Sequence, residues 1–239
     1  MSVFATVAYA KLDDGIAVLT LDRPEALNAF NVQMRDDVYA VLEAVRDDPD
    51  VRGLLVRGAG ERAFCVGADL KEFGSVPSQA IARQTRWERD IWGLWLSIDK
   101  PSVAAIHGYC LGSGVEIASV CDLRVAADNA VFGMPEVSLG LIPAAGGTQL
   151  LPRLLTPGRA LDILLANRRF TATDALRYGF ITNAVPVDQL ESAAMTLLRT
   201  ALLAPSPALT AAKRAVREGL DLPLAQGLAL EQRLAGQFT

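Results

Sequence analysis

Histidine is nearly missing from this chain: His107 is the only one in 239 residues. Cysteine is scarce as well. Cys65, Cys110 and Cys121 cannot all pair with one another, and none shows a CxxC or Cys/His metal spacing. No metal site is expected, and the unpaired thiols fit a reducing, cytoplasmic compartment. No block of lysine and arginine stands out, and the net charge is −4. That argues against a general binder of nucleic acid or of anionic membrane surfaces. A local anion site stays open, because Arg57, Arg62 and Lys71 lie close in sequence. The longest apolar runs carry Gly, Asp or Glu within a few residues, so no window spans a membrane. The opening MSVFATVAYAKLDDG lacks a basic segment followed by an apolar core, and no signal peptide is expected. Low-complexity tracts and fixed-period repeats are also absent.

What is present has the balance of a globular chain, with 51% apolar and 21% charged residues. Its length suits one large domain, or one domain with an appendage. GIAVLTL (15–21), VRGLLVR (51–57), SVAAIH (102–107) and DLRVAA (122–127) read as strands. Residues 31–46 show helical spacing through Val32, Met34, Val38, Val41, Leu42 and Val45, and Asp47-Asp48-Pro49 ends that helix. GAGERAFCVG reads as a glycine-punctuated loop, GYCLGSG as a turn and GSVPSQ (74–79) as a mobile loop. Residues 80–97 read as an amphipathic helix carrying Trp87, Trp92 and Trp95, more core or pocket wall than recognition patch. From Val187 the chain is helical, broken by APSP and by Pro223. Strand–turn–helix units recur, which makes the class α/β.

One feature resists a purely structural account. LGSGVEIASV (111–120) opens on a glycine turn and runs on as an almost wholly apolar helix, yet it contains Glu116. A lone ionised carboxylate in an apolar site costs several kcal/mol, roughly, unless it is paired or changes its protonation state. A second carboxylate, Glu136, stands in GMPEVSLG twenty residues on. Paired carboxylates in a dry site spread their pKa values, and one acid plus one base is what addition of water needs. Two glycine turns precede helices, CVGADL and LGSGVE. The first N–H groups of a helix have no internal partner, and glycine lets a ligand approach the backbone. One N–H from each turn, converging on a single oxygen, would make an oxyanion hole. Gly108, Gly112 and Gly114 also resemble the dinucleotide fingerprint of short-chain dehydrogenases. That fingerprint belongs near the N-terminus, and no Tyr-x-x-x-Lys pair accompanies it here.

The blocks LDRPEALNAFN, RAFCVGADLKEF and KPSVAAIHGYCLGSGVEIASVCDLRVAADNAVFGMPEVSLGLIPAAGGTQLLPRLL decide between these alternatives. In their order and spacing they resemble the enoyl-CoA hydratase/isomerase (crotonase) superfamily, from near the N-terminus to about FITNAVP. The resemblance implies a crotonase-like spiral of ββα units over residues 1–186. A helical C-terminal oligomerisation segment, 187–239, would build trimers or dimers of trimers. It implies an acyl-CoA thioester substrate, with coenzyme A as part of the substrate and no separate cofactor. The thioester oxygen would sit between the backbone N–H groups of Ala68 and Ser113, where the family more often has glycine at the second position. Glu116 would activate water and Glu136 would exchange the proton at the α-carbon; members that only isomerise a double bond typically keep the second and lose the first. PEALNA would hold the adenine and pantetheine through backbone groups of Ala26 and Leu27, with Ala29 nearby. Ala68, Asp69, Leu70 and Lys71 would line the pantetheine path, with Lys71 in reach of a phosphate. Relatives of this kind usually continue past EQRLAGQFT with a tail that helps cover the acyl pocket.

The favoured expectation is therefore an enoyl-CoA hydratase that adds water across the 2,3 double bond. Another crotonase-type acyl-CoA reaction (isomerase, lyase or thioester hydrolase) and a non-enzymatic acyl-CoA-binding or assembly protein are the alternatives. His107 reads as structural, Cys65 and Cys110 as small buried apolar groups, Asp69 as a cap of its turn, and Asp122 as a hydrogen-bonding group at a strand start. The apolar residues after Val187 (Leu197, Leu198, Leu202, Leu203, Leu209, Val216 and Leu220) exceed what a thin appendage buries, which favours subunit association.

Overall fold

The computed structural model describes residues 4–72 and 89–238. Strand β1 (Val7–Lys11) pairs antiparallel with β2 (Ile16–Leu21), and the rest of the large sheet is parallel. That sheet runs β1-β2-β3-β5-β7-β10, with β3 at Gly53–Gly58, β5 at Ser102–Ile106, β7 at Leu123–Ala127 and β10 at Asn183–Val185. A second sheet of four short strands runs β4-β6-β8-β9, formed by Ala63–Cys65, Tyr109–Leu111, Val131–Gly133 and Phe170–Thr171. The first turn places both of its strands, β1 and β2, in the large sheet before a helix; from β3 to β8 each turn spends one strand in the large sheet and the next in the small one before a helical segment. This is the expected spiral of ββα units.

Among the described residues the helices are α1 (Val32–Asp47), α2 (Ile91–Ser97), α3 (Ser113–Val120), α4 (Gly147–Leu154) and α5 (Pro157–Leu165). They continue with α6 (Ala172–Tyr178), α7 (Leu190–Ala201), α8 (Ser206–Gly219) and α9 (Leu224–Ala235). Helix α1 begins where Asn31 accepts the Met34 N–H at 2.8 Å, a side-chain cap for an otherwise unpaired donor. Its buried stripe of Met34, Val38, Val41, Leu42 and Val45 follows the helical spacing seen in the sequence. The main core fills the space between the two sheets and helices α1 to α5. A separate core covers the other face of the large sheet, beneath α7.

Several short elements differ from the sequence expectation. The loop GAGERAFCVG contains β4, and the turn GYCLGSG contains β6. Three-residue strands flanked by glycine are too short to show alternation, and they are held by pairing with each other. The N-terminal segment forms β1, tied to α1 where Asp37 accepts the Thr6 N–H at 2.9 Å and the Thr6 hydroxyl at 2.7 Å. The helix expected over 80–97 is described from Ile91, where Asp90 caps Trp92 and Gly93. Trp87 and the loop expected at 74–79 lie outside the described residues. Trp95 is core, and Trp92 packs on Phe30.

The C-terminal apolar residues divide into two groups. Leu198 and Leu202 are buried in this chain's own core, with Leu197 and Leu209 packed beside them. Helix α7 is thus part of the body that the spiral builds; of the residues named from the sequence, Leu203, Val216 and Leu220 remain exposed, together with Leu224 and Leu228. Among the described residues no helix is long and apolar enough to cross a membrane.

Candidate active site

The two glycine turns are neighbours in space. A Cβ on Gly67 would stand 3.2 Å from Leu111 O and 3.6 Å from Ser113 N. Gly67 has φ +101° and Gly112 has φ +49°, conformations that favour glycine. Ser113 is the first residue of α3, so its N–H points out of the helix without an internal acceptor. Among the described residues the Ala68 N–H likewise has no acceptor: the bridge to Phe30 runs from Phe30 N to Gly67 O at 2.8 Å and from Asp69 N to Phe30 O at 2.9 Å. The turns that carry these two donors are therefore in close contact through Gly67, the residue before Ala68, and Gly112, the residue before Ser113.

Both glutamates border these turns. Glu116 lies in the first turn of α3 and is 2% exposed. Its Oε1 accepts the Ala145 and Gly147 N–H groups, each at 3.0 Å. Gly147 opens α4, so this carboxylate sits at a helix N-terminus, where negative charge is favoured. The charge that the sequence left unexplained is thus solvated by backbone. Glu136 opens a short 3-10 turn, Glu136–Leu139. Its Oε1 comes so near Gly112 that a Cβ there would stand 2.6 Å away. Its Oε2 is buried without a hydrogen-bond partner among the described residues. Burial pushes the Glu136 pKa above its ordinary 4.5; a hydrogen bond to its own backbone opposes the shift, and the Glu116 charge adds to it. One carboxylate is held by N–H donors, and the other has its pKa raised by burial.

The loop before α1 reaches the same region. Leu27 and Asn28 both have left-handed backbones, with φ of 54° and 55°. Asn28 is fully buried, and its amide donates to Ala59 O and Ala63 O, each at 2.9 Å. The N–H groups of Ala26, Leu27 and Ala29 already donate within the loop. Their carbonyls each accept one bond, from Ala29 N, Val66 N and Arg23 Nη1 respectively, which leaves a lone pair on each. Arg23 also pairs with Asp69 at 3.0 Å. Partial burial pushes the Asp69 pKa up, but Arg23, the Lys71 N–H and nearby cations outweigh it and hold it below its ordinary value. Asp69 accepts that Lys71 N–H at 3.2 Å, which caps its own turn. Leu70 and Lys71 are exposed. A cavity of about 190 Å³ lies against Pro24, Leu27 and the 59–63 segment.

Three groups escaped the sequence reading. Arg23 and Asn28 stand inside a quoted motif, but their roles depend on partners dozens of residues away. The N–H groups of Ala145 and Gly147 could have been suspected from the double glycine that opens α4. A larger cavity, about 700 Å³, opens beside Thr20, Arg57, His107, Asn129 and Glu191. Neither catalytic candidate lines it, so size alone does not locate the chemistry. His107 is buried there, and desolvation pulls its pKa down against the effect of a hydrogen bond to Gly60, which keeps it neutral. All three cysteines are buried and unpaired, and burial pushes the Cys65 thiol up to about 12. Among the described residues no group of three His, Cys, Asp or Glu could hold a metal ion.

A family model described as enoyl-CoA hydratase/isomerase matches residues 11–239. A probable enoyl-CoA hydratase of Mycobacterium tuberculosis is 36% identical over 222 residues, covering 93% of this chain and 85% of the relative. An (E)-benzylidenesuccinyl-CoA hydratase of Thauera aromatica is 34% identical over 226 residues, covering 95% of this chain and 88% of its own length. The crystal structure of an enoyl-CoA hydratase from Bacillus anthracis superposes with a TM-score of 0.92 at 31% identity, over 97% of this chain and 90% of the other. Sequence, fold and relatives agree over nearly the whole length, and the chain belongs to the enoyl-CoA hydratase/isomerase family.

Proposed function

We propose that this enzyme is an enoyl-CoA hydratase that adds water across the 2,3 double bond of an acyl-CoA thioester. The observation that carries the proposal is the unequal environment of the two glutamates beside two free backbone donors. Glu116, held as an acceptor by two N–H groups, suits the ionised base. Glu136, with its raised pKa, suits the acid. Glu116 takes a proton from water as the water oxygen bonds to C3. The π electrons move toward the thioester, and the resulting enolate oxygen is held by the N–H groups of Ala68 and Ser113. Glu136 then delivers its proton to C2. The proton gained by Glu116 leaves to solvent or to Glu136, which restores the resting pair.

Coenzyme A would lie along Ala68, Asp69, Leu70 and Lys71, with its adenine against Ala26, Leu27 and Ala29. Only carbonyl lone pairs remain on that loop, and they suit a ligand amino group. The exposed Lys71 would meet a phosphate. Assembly into a trimer or a dimer of trimers, which the resemblance implies, is part of the proposal; the 84% and 78% exposure of Leu203 and Leu224 supports association of subunits.

The test is steady-state hydration of crotonyl-CoA. Glu116→Gln and Glu136→Gln should each lower turnover by at least ~100-fold, the usual scale for a general acid or base. Near-normal turnover in either variant would remove that residue from the chemistry. Double-bond isomerisation of a 3-enoyl-CoA needs one carboxylate only, so Glu116→Gln should spare it more than Glu136→Gln does.

A further inference from the structure

Helix α3 carries the proposed machinery at one end, with the Ser113 N–H at its first position and Glu116 within the first turn. Its other end is fixed from two directions. A helix leaves its last carbonyls without intrahelical donors. Here Arg124 of β7 donates Nη1 to Ala118 O at 3.2 Å and to Cys121 O at 2.7 Å, and its Nε to Phe180 O. The Val120 carbonyl is reached from much farther along the chain, by Arg217 Nη2 at 3.0 Å.

Arg217 belongs to α8, in the C-terminal segment. Its Nη1 donates to Leu96 O of α2 at 3.0 Å, and its Nη2 lies 3.1 Å from Asp122 Oδ1. One turn earlier on α8, Lys213 donates to Asp122 Oδ2 at 2.8 Å and to Lys100 O at 2.7 Å. Asp122 Oδ2 also accepts the Ser102 N–H at 2.7 Å and the Ser102 hydroxyl at 2.9 Å. The residue just past α3 is therefore a hub joining α3, the start of β5 and α8. The Lys213 side chain is 9% exposed, unlike the surface pairs elsewhere on α8.

We propose that Arg217, backed by Lys213, is a positioning residue: α8 latches the C-terminal end of α3 and thereby fixes the Ser113 N–H and Glu116 at the opposite end. The catalytic part of this rests on the hydration chemistry proposed above. An eight-residue helix is about 12 Å long. A tilt of about 5° at one end moves the other by about 1 Å, and a misplacement of that size costs on the order of 10²-fold in rate. The core contacts of α3 and the Arg124 bonds resist such a tilt, so losing Arg217 alone should cost roughly 10- to 100-fold.

The experiment compares Arg217→Met, Arg217→Lys and the control Arg214→Ala, whose exposed side chain pairs with Glu218 on the same helix. Three readings are taken on the full chain: kcat and KM for crotonyl-CoA, the red shift of a bound conjugated arylenoyl-CoA, and amide hydrogen exchange without substrate across 116–120, where the first bonded amide, Glu116 N–H, donates to Gly112 O at 3.1 Å. The latch predicts that Arg217→Met lowers kcat with KM within about twofold, shrinks the red shift and speeds exchange at the hydrogen-bonded amides 116–120 about tenfold or more. Arg217→Lys keeps the Asp122 contact, loses the fork and falls between; if the methionine variant does not fold, it carries the comparison. Arg214→Ala should match the parent in all three. Unchanged exchange at 116–120 in a folded Arg217 variant overturns the latch. A kcat that falls only in proportion to the unfolded fraction does the same. If the parent shows neither hydration nor a red shift, hydration fails as the function, and the exchange measurement alone decides the latch.

Discussion

Replacing Glu136 by glutamine should make the protein more stable while removing its activity. Its Oε2 is buried without a hydrogen-bond partner among the described residues, and burial raises its pKa. At neutral pH the folded state must then hold either an ionised carboxylate in a poorly solvated place or a proton taken up at a cost. A buried polar group without a partner costs about 1–3 kcal/mol, and more when charged. Glutamine keeps the shape and abolishes the charge, so about 1–2 kcal/mol of that cost should be recovered. For a chain of this size, 1 kcal/mol shifts Tm by about 2–4 °C, which predicts a rise of roughly 2–8 °C near pH 8. The sign follows from linkage. A carboxyl whose folded pKa is raised stabilises the fold below its unfolded pKa and loses that contribution as pH rises through the folded pKa. The advantage of the glutamine variant should therefore be small near the ordinary 4.5, grow as pH rises through the shifted value, and level off above it. Differential scanning calorimetry across pH, with the trimer or monomer state checked at each point, reads this directly. An unchanged or lowered Tm at pH 8, or an advantage that does not vary with pH, would refute the account of Glu136 as a poorly solvated acid.

Further outcomes follow from the backbone. Ser113→Ala and Ser113→Gly should keep most hydration activity, because the donor is the N–H. Ser113→Pro should lose at least ~100-fold, although the first position of a helix tolerates proline; a comparable loss in a folded Ser113→Ala would show that the hydroxyl takes part. Gly67→Ala should lower kcat, since its Cβ would sit 3.2 Å from Leu111 O at a φ of +101°; a fully active variant would mean that the two turns need not be so close. Gly114→Ala puts a Cβ 2.2 Å from Cys65 O and should cost about 1–3 kcal/mol in denaturant unfolding, whereas an unshifted midpoint would show that α3 can slide. Sedimentation should find an oligomer at micromolar concentration, and a stable monomer would contradict the reading of the exposed leucines on the C-terminal helices.

Among the catalytic candidates Glu116 stood out because it breaks a local rule, whereas Ala68, Ser113 and the role of Glu136 rest on the family resemblance. Glu116 is a charge inside an apolar helix, and Gly112 and Gly67 mark turns that other residues enter only with strain. The long elements were legible for the opposite reason: α1 repeats apolar residues at helical spacing, with Val32 alone of that set exposed, and the central strands are short continuous apolar runs of the kind buried on both faces. Strands β4 and β6 were hidden because three residues between glycines carry no period. Arg23 and Asn28 were hidden because their meaning lies in carbonyls of distant segments, as with Asn28 and Ala63. The leucines of α7 were misread as surplus because periodicity shows that a face is apolar, not what covers it. Nothing in the local sequence shows that the start of α4 meets Glu116; that depends on how two turns of the spiral stack.

The site draws on four stretches of the chain: 26–30, 66–69, 111–116 and 134–147. Phe30 bridges to Ala68, and Glu116 finds its donors at Ala145 and Gly147. Parallel pairing requires a long crossover before the first contact forms, and loop-closure entropy must be met each time. Non-local pairing of this kind slows folding relative to helices that close locally. Helical ellipticity should thus recover early after dilution from denaturant, while turnover returns only when the last turn of the spiral has closed. During synthesis the consequence is sharper: a nascent chain that has emerged only as far as Val120 holds Glu116 and both glycine turns, but not yet the backbone that makes this carboxylate tolerable.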